Sequence, residues 1–473
     1  MRRLVLFLAL GLAFSLDGRA FERSDWLADF EQVKTALTVN YPNLEWAIER
    51  GLDLAAVERR ARDRLAAATT DFEARSALER FVANFGDGHL SLTWPAPKPS
   101  VHDDPKPAIT CKTLGYDDSA DTRAIAKNLD GYQALPAAKG VDAGTVIVAG
   151  KQVAVLRIPL FNPSVAMCEA VSQEILRGKT SCDEACETDI QRRSDNFFLQ
   201  AIEDRLEELK ARHPDVLLVD LAGNGGGNDT AIALARMLTD RHLLTPSLAY
   251  VRSPSRSQQL TEDTATLEAA SHGAKESEAA FLKPLLAGLA DATRQANQSC
   301  DLTNVWNGKP AGCTNLIRGP FFAGGMVAEE IPEAFRAKPW ASIASWTAQY
   351  RYTDALWKGP LMLLVDAGSA SATELLAAML QDAGSATVIG APTFGAGCGW
   401  TLSDRPTELA KSGGLLHIPD CARFRRDGRN EIDGIQPDEL VGFRRYDSPK
   451  QQAERLMQKL PAAVLRIARP RSR

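Results

Sequence analysis

A serine, a histidine, a glutamate and a glycine-rich turn are the residues of this chain whose types and spacing suggest chemistry. Ser371 follows an apolar run, Leu361 to Val365, that reads as a buried strand and stops at Asp366-Ala367-Gly368. Ala372 to Leu380 then has strong helix propensity. A serine at the sharp turn between a buried strand and a helix is placed to act as a nucleophile. Its neighbours Ser369, Ala370 and Ala372 are small, and first-turn N–H groups offer positive potential to a developing oxyanion. The same position also suits a plain N-cap.

Asp220-Leu221-Ala222-Gly223-Asn224-Gly225-Gly226-Gly227-Asn228-Asp229 runs from a strand through a glycine-rich turn into a helix. Such a turn exposes backbone N–H groups to anions and oxyanions. A dinucleotide fingerprint is the competing reading, but Asn228 stands where its third glycine belongs. Asp240 does sit near the distance of a ribose-binding acid, yet this reading leaves Ser371 unexplained. His89, one of six histidines, lies in Gly86-Asp87-Gly88-His89-Leu90. There a ring can project freely and titrate near neutrality; a purely structural histidine is the alternative. Glu431 precedes a Gly434-Ile435-Gln436-Pro437-Asp438 turn, which alone is a surface turn.

The elements that must hold these residues divide the chain. Trp26, Phe30, Val33, Leu37 and Tyr41 recur at helical spacing, as do Leu54, Val57, Ala61 and Leu65, and then Phe72, Ala77, Leu78 and Phe81. Asp71 reads as an N-cap. Residues 21–97 are therefore expected to form a helical domain carrying His89, closed by the proline-rich stretch after Trp94. Residues 98–143 read as a connecting segment. From Gly144, strands at 145–148, 153–158 and 216–221 alternate with helices at 196–212 and 229–238, which predicts an α/β domain over 144–445. A Ser-, Ala- and Glu-rich stretch, 252–345, interrupts it as a helical insertion, and 446–473 reads as a helix and a basic tail.

Met1-Arg2-Arg3, the apolar run Leu4 to Phe14 and Gly18-Arg19-Ala20 make a signal peptide over 1–20, cut after Ala20, so an exported, periplasmic or extracellular protein is expected. That apolar run is too short for a comfortable membrane span, and no later stretch approaches the roughly 20 apolar residues a span needs. The formal charge is −5, and near −7 without Arg2, Arg3, Arg19 and Asp17 of that leader, which gives no electrostatic case for nucleic acid. Eight cysteines in an exported chain predict disulfides, with Cys300–Cys313 and Cys398–Cys421 the natural local pairs. A zinc site at Cys182-Asp-Glu-Ala-Cys186 would lack a second ligand pair. Neither a metal nor a cofactor is expected.

In order along the chain, Asp220 to Gly227, Ser371-Ala372-Thr373-Glu374, Gly390-Ala-Pro-Thr393-Phe394-Gly395 and Gly434 to Asp438 resemble the serine peptidase family of tail-specific, C-terminal-processing proteases and tricorn protease. The resemblance covers roughly 144–445 and the Asp87-Gly88-His89 segment. It implies a crotonase-like core of the ClpP and tail-specific protease type, peptide-bond hydrolysis, a protein or peptide substrate and Ser371 as nucleophile. In the tail-specific branch a lysine base follows Thr-Phe-Gly; here that place is Ala396. In the tricorn-like branch a histidine and a glutamate occupy the places of His89 and Glu431, which become the expected base and its orienter, with Asp87 a competing orienter. Tricorn's relay serine stands immediately before the histidine, where this chain has Gly88. Oxyanion donors would be the N–H of Ala372 and one of Gly225 or Gly226. There is little room for a PDZ module between His89 and Gly144. An inactive relative binding an apolar ligand or peptide, and an esterase, are the alternatives, while cleavage preference and oligomeric state are not legible.

Overall fold

Short runs of Val, Leu and Ile form the centre of the protein because both of their faces find apolar cover. In the computed structural model, residues 21–94, 110–117, 124–137, 140–177, 182–402 and 405–468 are described. The expected leader and the prolines after Trp94 lie outside them. A seven-stranded sheet runs in the order Glu439–Leu440, Thr387–Gly390, Leu361–Val365, Val216–Asp220, Lys151–Arg157, Ala143–Val148 and Gln133–Ala134. Pairing is parallel from the first strand to Lys151–Arg157, and antiparallel through the last two. Side chains alternate across it. Leu361, Leu363 and Val365 enter a core with the helices Glu184–Lys210, Thr230–Met237 and Ala372–Asp382, while Met362 and Leu364 enter a second core on the opposite face. That second core is closed by two helices, Pro449–Leu456 and Leu460–Ile467, rather than one, because Pro461 starts a new helix at its N-terminal turn.

Four helices, Arg23–Asn40, Leu44–Glu49, Leu54–Ala67 and Asp71–Ala83, pack around Phe30, Leu37, Leu65 and Phe81. The N-cap of the fourth is Thr70, whose hydroxyl accepts the Glu73 N–H; Asp71 instead accepts the indole N–H of Trp26 at 3.0 Å. This corrects the expected cap. The helical unit is tied to the rest of the chain. Ser91–Thr93 pairs with Leu415–His417, and Leu302, Val305 and Trp306 complete its core, with the Trp306 indole donating to Thr38 Oγ1 at 2.7 Å.

The 252–345 stretch begins as a helical hairpin, Pro254–Ser271 and Glu276–Ala296. Its second half departs from a helical insertion: Leu316–Phe322 is a strand, paired with Ser247–Val251, which in turn pairs with Cys421–Phe424. Four disulfides form: Cys111–Cys168, Cys182–Cys186, Cys300–Cys313 and Cys398–Cys421. Cys182 and Cys186 thus hold each other, which removes them as zinc ligands. Among the described residues no helix is long and apolar enough to cross a membrane.

Candidate active site

Two neighbouring parallel strands, Val216–Asp220 and Leu361–Val365, end side by side, and each turns directly into a helix. The two turns clamp one another. Asp366 Oδ1 accepts from Gly223 N at 2.7 Å, Ala370 N donates to Asn224 O at 2.9 Å, and Ser369 Oγ donates to Leu221 O at 2.8 Å. Ser371 emerges from this clamp with φ +55° and ψ −112°. An ordinary N-cap is extended, so this backbone is strained for a serine, although Ser371 and Glu374 form a capping box across the first turn. The Ser371 N–H is taken by Glu374 Oε2 at 2.9 Å.

Ser371, Ala372, Gly225, Gly227, His89, Gly399, Trp400 and Arg423 line one cleft of about 440 Å³. Gly226 is pressed against the serine: a Cβ there would lie 2.6 Å from Ser371 Cβ, which leaves glycine as the residue that fits. The Gly226 N–H is consumed by Asn224 Oδ1 at 2.8 Å, so it has no capacity left for an oxyanion. The N–H groups of Ala372 and Gly225 have no acceptor among the described residues. Of the three expected donors, Ala372 and Gly225 are free and Gly226 is not.

His89 arrives from the helical unit. Gly88 N donates to Gly395 O at 3.1 Å, and a Cβ on Gly88 would meet the Phe394 ring at 2.4 Å, so no relay side chain fits before the histidine. The imidazole Nδ1 lies 2.5 Å from Ala396 O. A carbonyl only accepts, so Nδ1 carries the proton and Nε2 is the basic nitrogen; the Cys398 backbone is a second hydrogen-bonding neighbour of the ring. The ring packs on Gly399 and, edge to face, on Trp400 at 5.1 Å. Burial pushes its pKa down to about 4, with the Arg423 guanidinium adding to the effect, and holds the ring neutral. No hydrogen bond joins His89 to Ser371 among the described residues, a looseness common before substrate closes a site.

Neither expected orienter touches the imidazole. Asp87 accepts the backbone N–H of His89 at 2.9 Å, with Asn43 at 2.9 Å and Tyr41 at 3.2 Å on its other oxygen; burial pushes its pKa up to about 6. It shapes the turn, not the tautomer. Glu431 is fully buried and pairs with Arg423 Nε at 2.5 Å, while Arg423 Nη2 donates to Ser371 O at 2.9 Å. Burial raises the Glu431 carboxyl against the pull of Arg423, and its Oε1 has no partner. Glu431 therefore reaches the serine through Arg423, and direct contact with the imidazole belongs to the Ala396 carbonyl.

Sequence reasoning missed three parts of the site. Glu374, fully buried, accepts from Ser371 N at 2.9 Å, Thr393 Oγ1 at 2.6 Å, Gly395 N at 2.7 Å and Ala396 N at 2.9 Å. One carboxylate thus joins the serine turn to the segment that orients the histidine. Its place in Ser371-Ala372-Thr373-Glu374 was the available signal. Arg423 and the Ala396 carbonyl carried none. The Cys398–Cys421 disulfide ties this segment to the strand bearing Arg423.

A sequence model of peptidase family S41 matches residues 195–441. A carboxyl-terminal-processing protease of Synechocystis sp. is 39% identical over 84 residues, 17% of this chain and 18% of that protein. One from Picosynechococcus sp. is 38% identical over 88 residues, 18% of this chain and 20% of that protein. The chain thus aligns with about a fifth of the length of these curated relatives. Among solved structures, mature CPAF is similar with a TM-score of 0.56 at 14% identity, covering 94% of this chain and 98% of that one. At that identity the likeness concerns the fold.

Proposed function

Because the chain belongs to peptidase family S41, we propose that it hydrolyses peptide bonds with Ser371 as nucleophile, His89 as general base and the N–H groups of Ala372 and Gly225 as oxyanion hole. The observation that carries this is the strained Ser371 turn, sharing one cleft with a neutral histidine whose Nδ1 faces the Ala396 carbonyl. His89 Nε2 takes the Ser371 Oγ proton as Oγ attacks the carbonyl carbon. The negative oxygen of the tetrahedral intermediate accepts from Ala372 N–H and Gly225 N–H. The imidazolium then protonates the leaving amine, and water repeats the sequence to free the acid. Ala396 O keeps the proton of the resting ring on Nδ1 and stabilises the imidazolium once it forms. Glu431 acts at one remove, holding Arg423 against the serine carbonyl.

Export is part of the same proposal. The basic, apolar and small-residue order of 1–20 and the four disulfides support it. Fluorophosphonate labelling beside casein hydrolysis tests the chemistry. Wild type is expected to label and cleave, and folded Ser371→Ala and His89→Ala to do neither. A folded wild type that does not label overturns the assignment and leaves a binding protein.

A further inference from the structure

The cleft beside Ser371 has walls of two kinds. Leu248, Ala323, Trp346 and Leu375 make an apolar surround, and Asp229 is the acidic residue that lines the cleft with them. Asp229 is the N-cap residue of the helix Thr230–Met237, yet its side chain accepts no first-turn N–H. Its carboxylate accepts from its own backbone N–H and from the hydroxyl of Tyr350, at the end of the 3₁₀ turn Trp346–Gln349 that also brings Trp346 to the cleft. The neighbouring Asn228 amide is already committed, donating to Asp195 at 2.8 Å and accepting from Thr230 Oγ1 at 2.6 Å.

The charges of the cleft do not cancel at this wall. Arg423, on the serine side, is paired with Glu431, and His89 is held neutral. Another acid, Asp195, lies close enough to Asp229 to be raised by it. Burial lifts the Asp229 carboxyl to about 6, as expected of an acid without a cation opposite. Asp229 follows Gly226, which touches Ser371, by three residues, a span of at most about 10 Å of chain. This wall is within reach of the side chain whose carbonyl would sit on the Ala372 and Gly225 N–H groups. An apolar sleeve with an aromatic face and a terminal carboxylate suits a long side chain that ends in a cation.

We infer that Asp229 is a specificity-determining residue and that the pocket beside Ser371 takes the side chain of lysine or arginine on the acyl side of the scissile bond. This rests on the serine-peptidase reading given above. The test uses pairs of fluorogenic peptides and pairs of peptidyl diaryl phosphonates differing only in Lys or Leu at that position. Wild type is expected to favour Lys at least tenfold in kcat/KM, or in labelling rate if turnover is slow. In Asp229→Asn the Lys-to-Leu ratio is expected to fall at least tenfold, and in Asp229→Glu to stay above that of Asn. The ratio is taken on one preparation, so partial misfolding cancels. Wild type that labels with a simple fluorophosphonate but favours Leu overturns this inference and leaves the peptidase reading standing. So does a ratio unchanged in Asp229→Asn. Wild type that labels with no phosphonate overturns both.

Discussion

Replacing Glu374 by glutamine keeps the shape of the side chain and removes one acceptor oxygen. Oε1 serves Thr393 Oγ1 and Gly395 N; Oε2 serves Ser371 N and Ala396 N. Whichever way the amide turns, its NH₂ faces two donors. The Thr393 hydroxyl, which already accepts from Ile435 N at 2.7 Å, could accept from the amide only by leaving its own O–H without the Glu374 acceptor. Two buried donors lose their acceptor, at about 1–3 kcal/mol each, so about 4 kcal/mol in total. At roughly 2 °C per kcal/mol for a chain this large, Tm should fall by about 8 °C. The kinetic effect is separate. If Ala396 moves by about 1 Å, the histidine it orients is misplaced, which typically costs about a hundredfold in rate. The expected result is a folded protein with kcat reduced at least tenfold, KM nearly unchanged, and slower fluorophosphonate labelling. Thermal unfolding and peptide kinetics on the same preparation read both numbers. A Tm within about 1 °C of wild type and kcat within threefold would refute the view that this carboxylate couples the serine to the histidine.

The His89 pKa of about 4 predicts an acid limb displaced from that of an ordinary histidine. Protonation removes the base, so kcat/KM should fall as pH drops through about 4; a limb near 6.5 would contradict the burial argument. Cys398 lines the cleft and Cys421 opens the strand of Arg423. Cys398→Ala with Cys421→Ala should therefore lower kcat at least tenfold, and Cys300→Ala with Cys313→Ala less than threefold; equal losses would make the first bridge merely a staple. Arg423→Met should destabilise by about 3–5 kcal/mol by leaving Glu431 buried without its cation, and adding Glu431→Leu should restore much of it. Additive losses in chemical denaturation would count against the pair.

The parts of this molecule that sequence reveals best are those whose signal is local. Leu361 to Val365 announces a buried strand, and the small residues around Ser371 and the glycines of 223–227 announce close backbone approach. The strand Leu316–Phe322 was hidden by Gly319-Pro320, which reads as a loop. It survives as an outer strand of its three-stranded sheet, where proline's missing N–H is tolerated. Thr70 and Asp71 are both competent caps, and the choice fell to Trp26, far away in sequence. The partner of His89 escaped detection for a plainer reason: the acceptor is the carbonyl of an alanine, and every residue type has one. For Glu431 the sequence leaves open a direct or a relayed action on the ring, and the pairing with Arg423 that occupies it depends on a fold placing Cys421–Phe424 beside the serine turn.

His89 and Ser371 stand 282 residues apart in the chain, and the loops that hold them extend to Asn430, which donates to Asn43 at 2.7 Å. During synthesis His89 therefore leaves the ribosome first and Ser371 follows it by about 14–56 s at ordinary translation speeds of roughly 5–20 residues per second. No nascent chain that ends before Ser371 holds the proposed pair, so on that reading the earlier part of the chain is made before it could be cut by its own site.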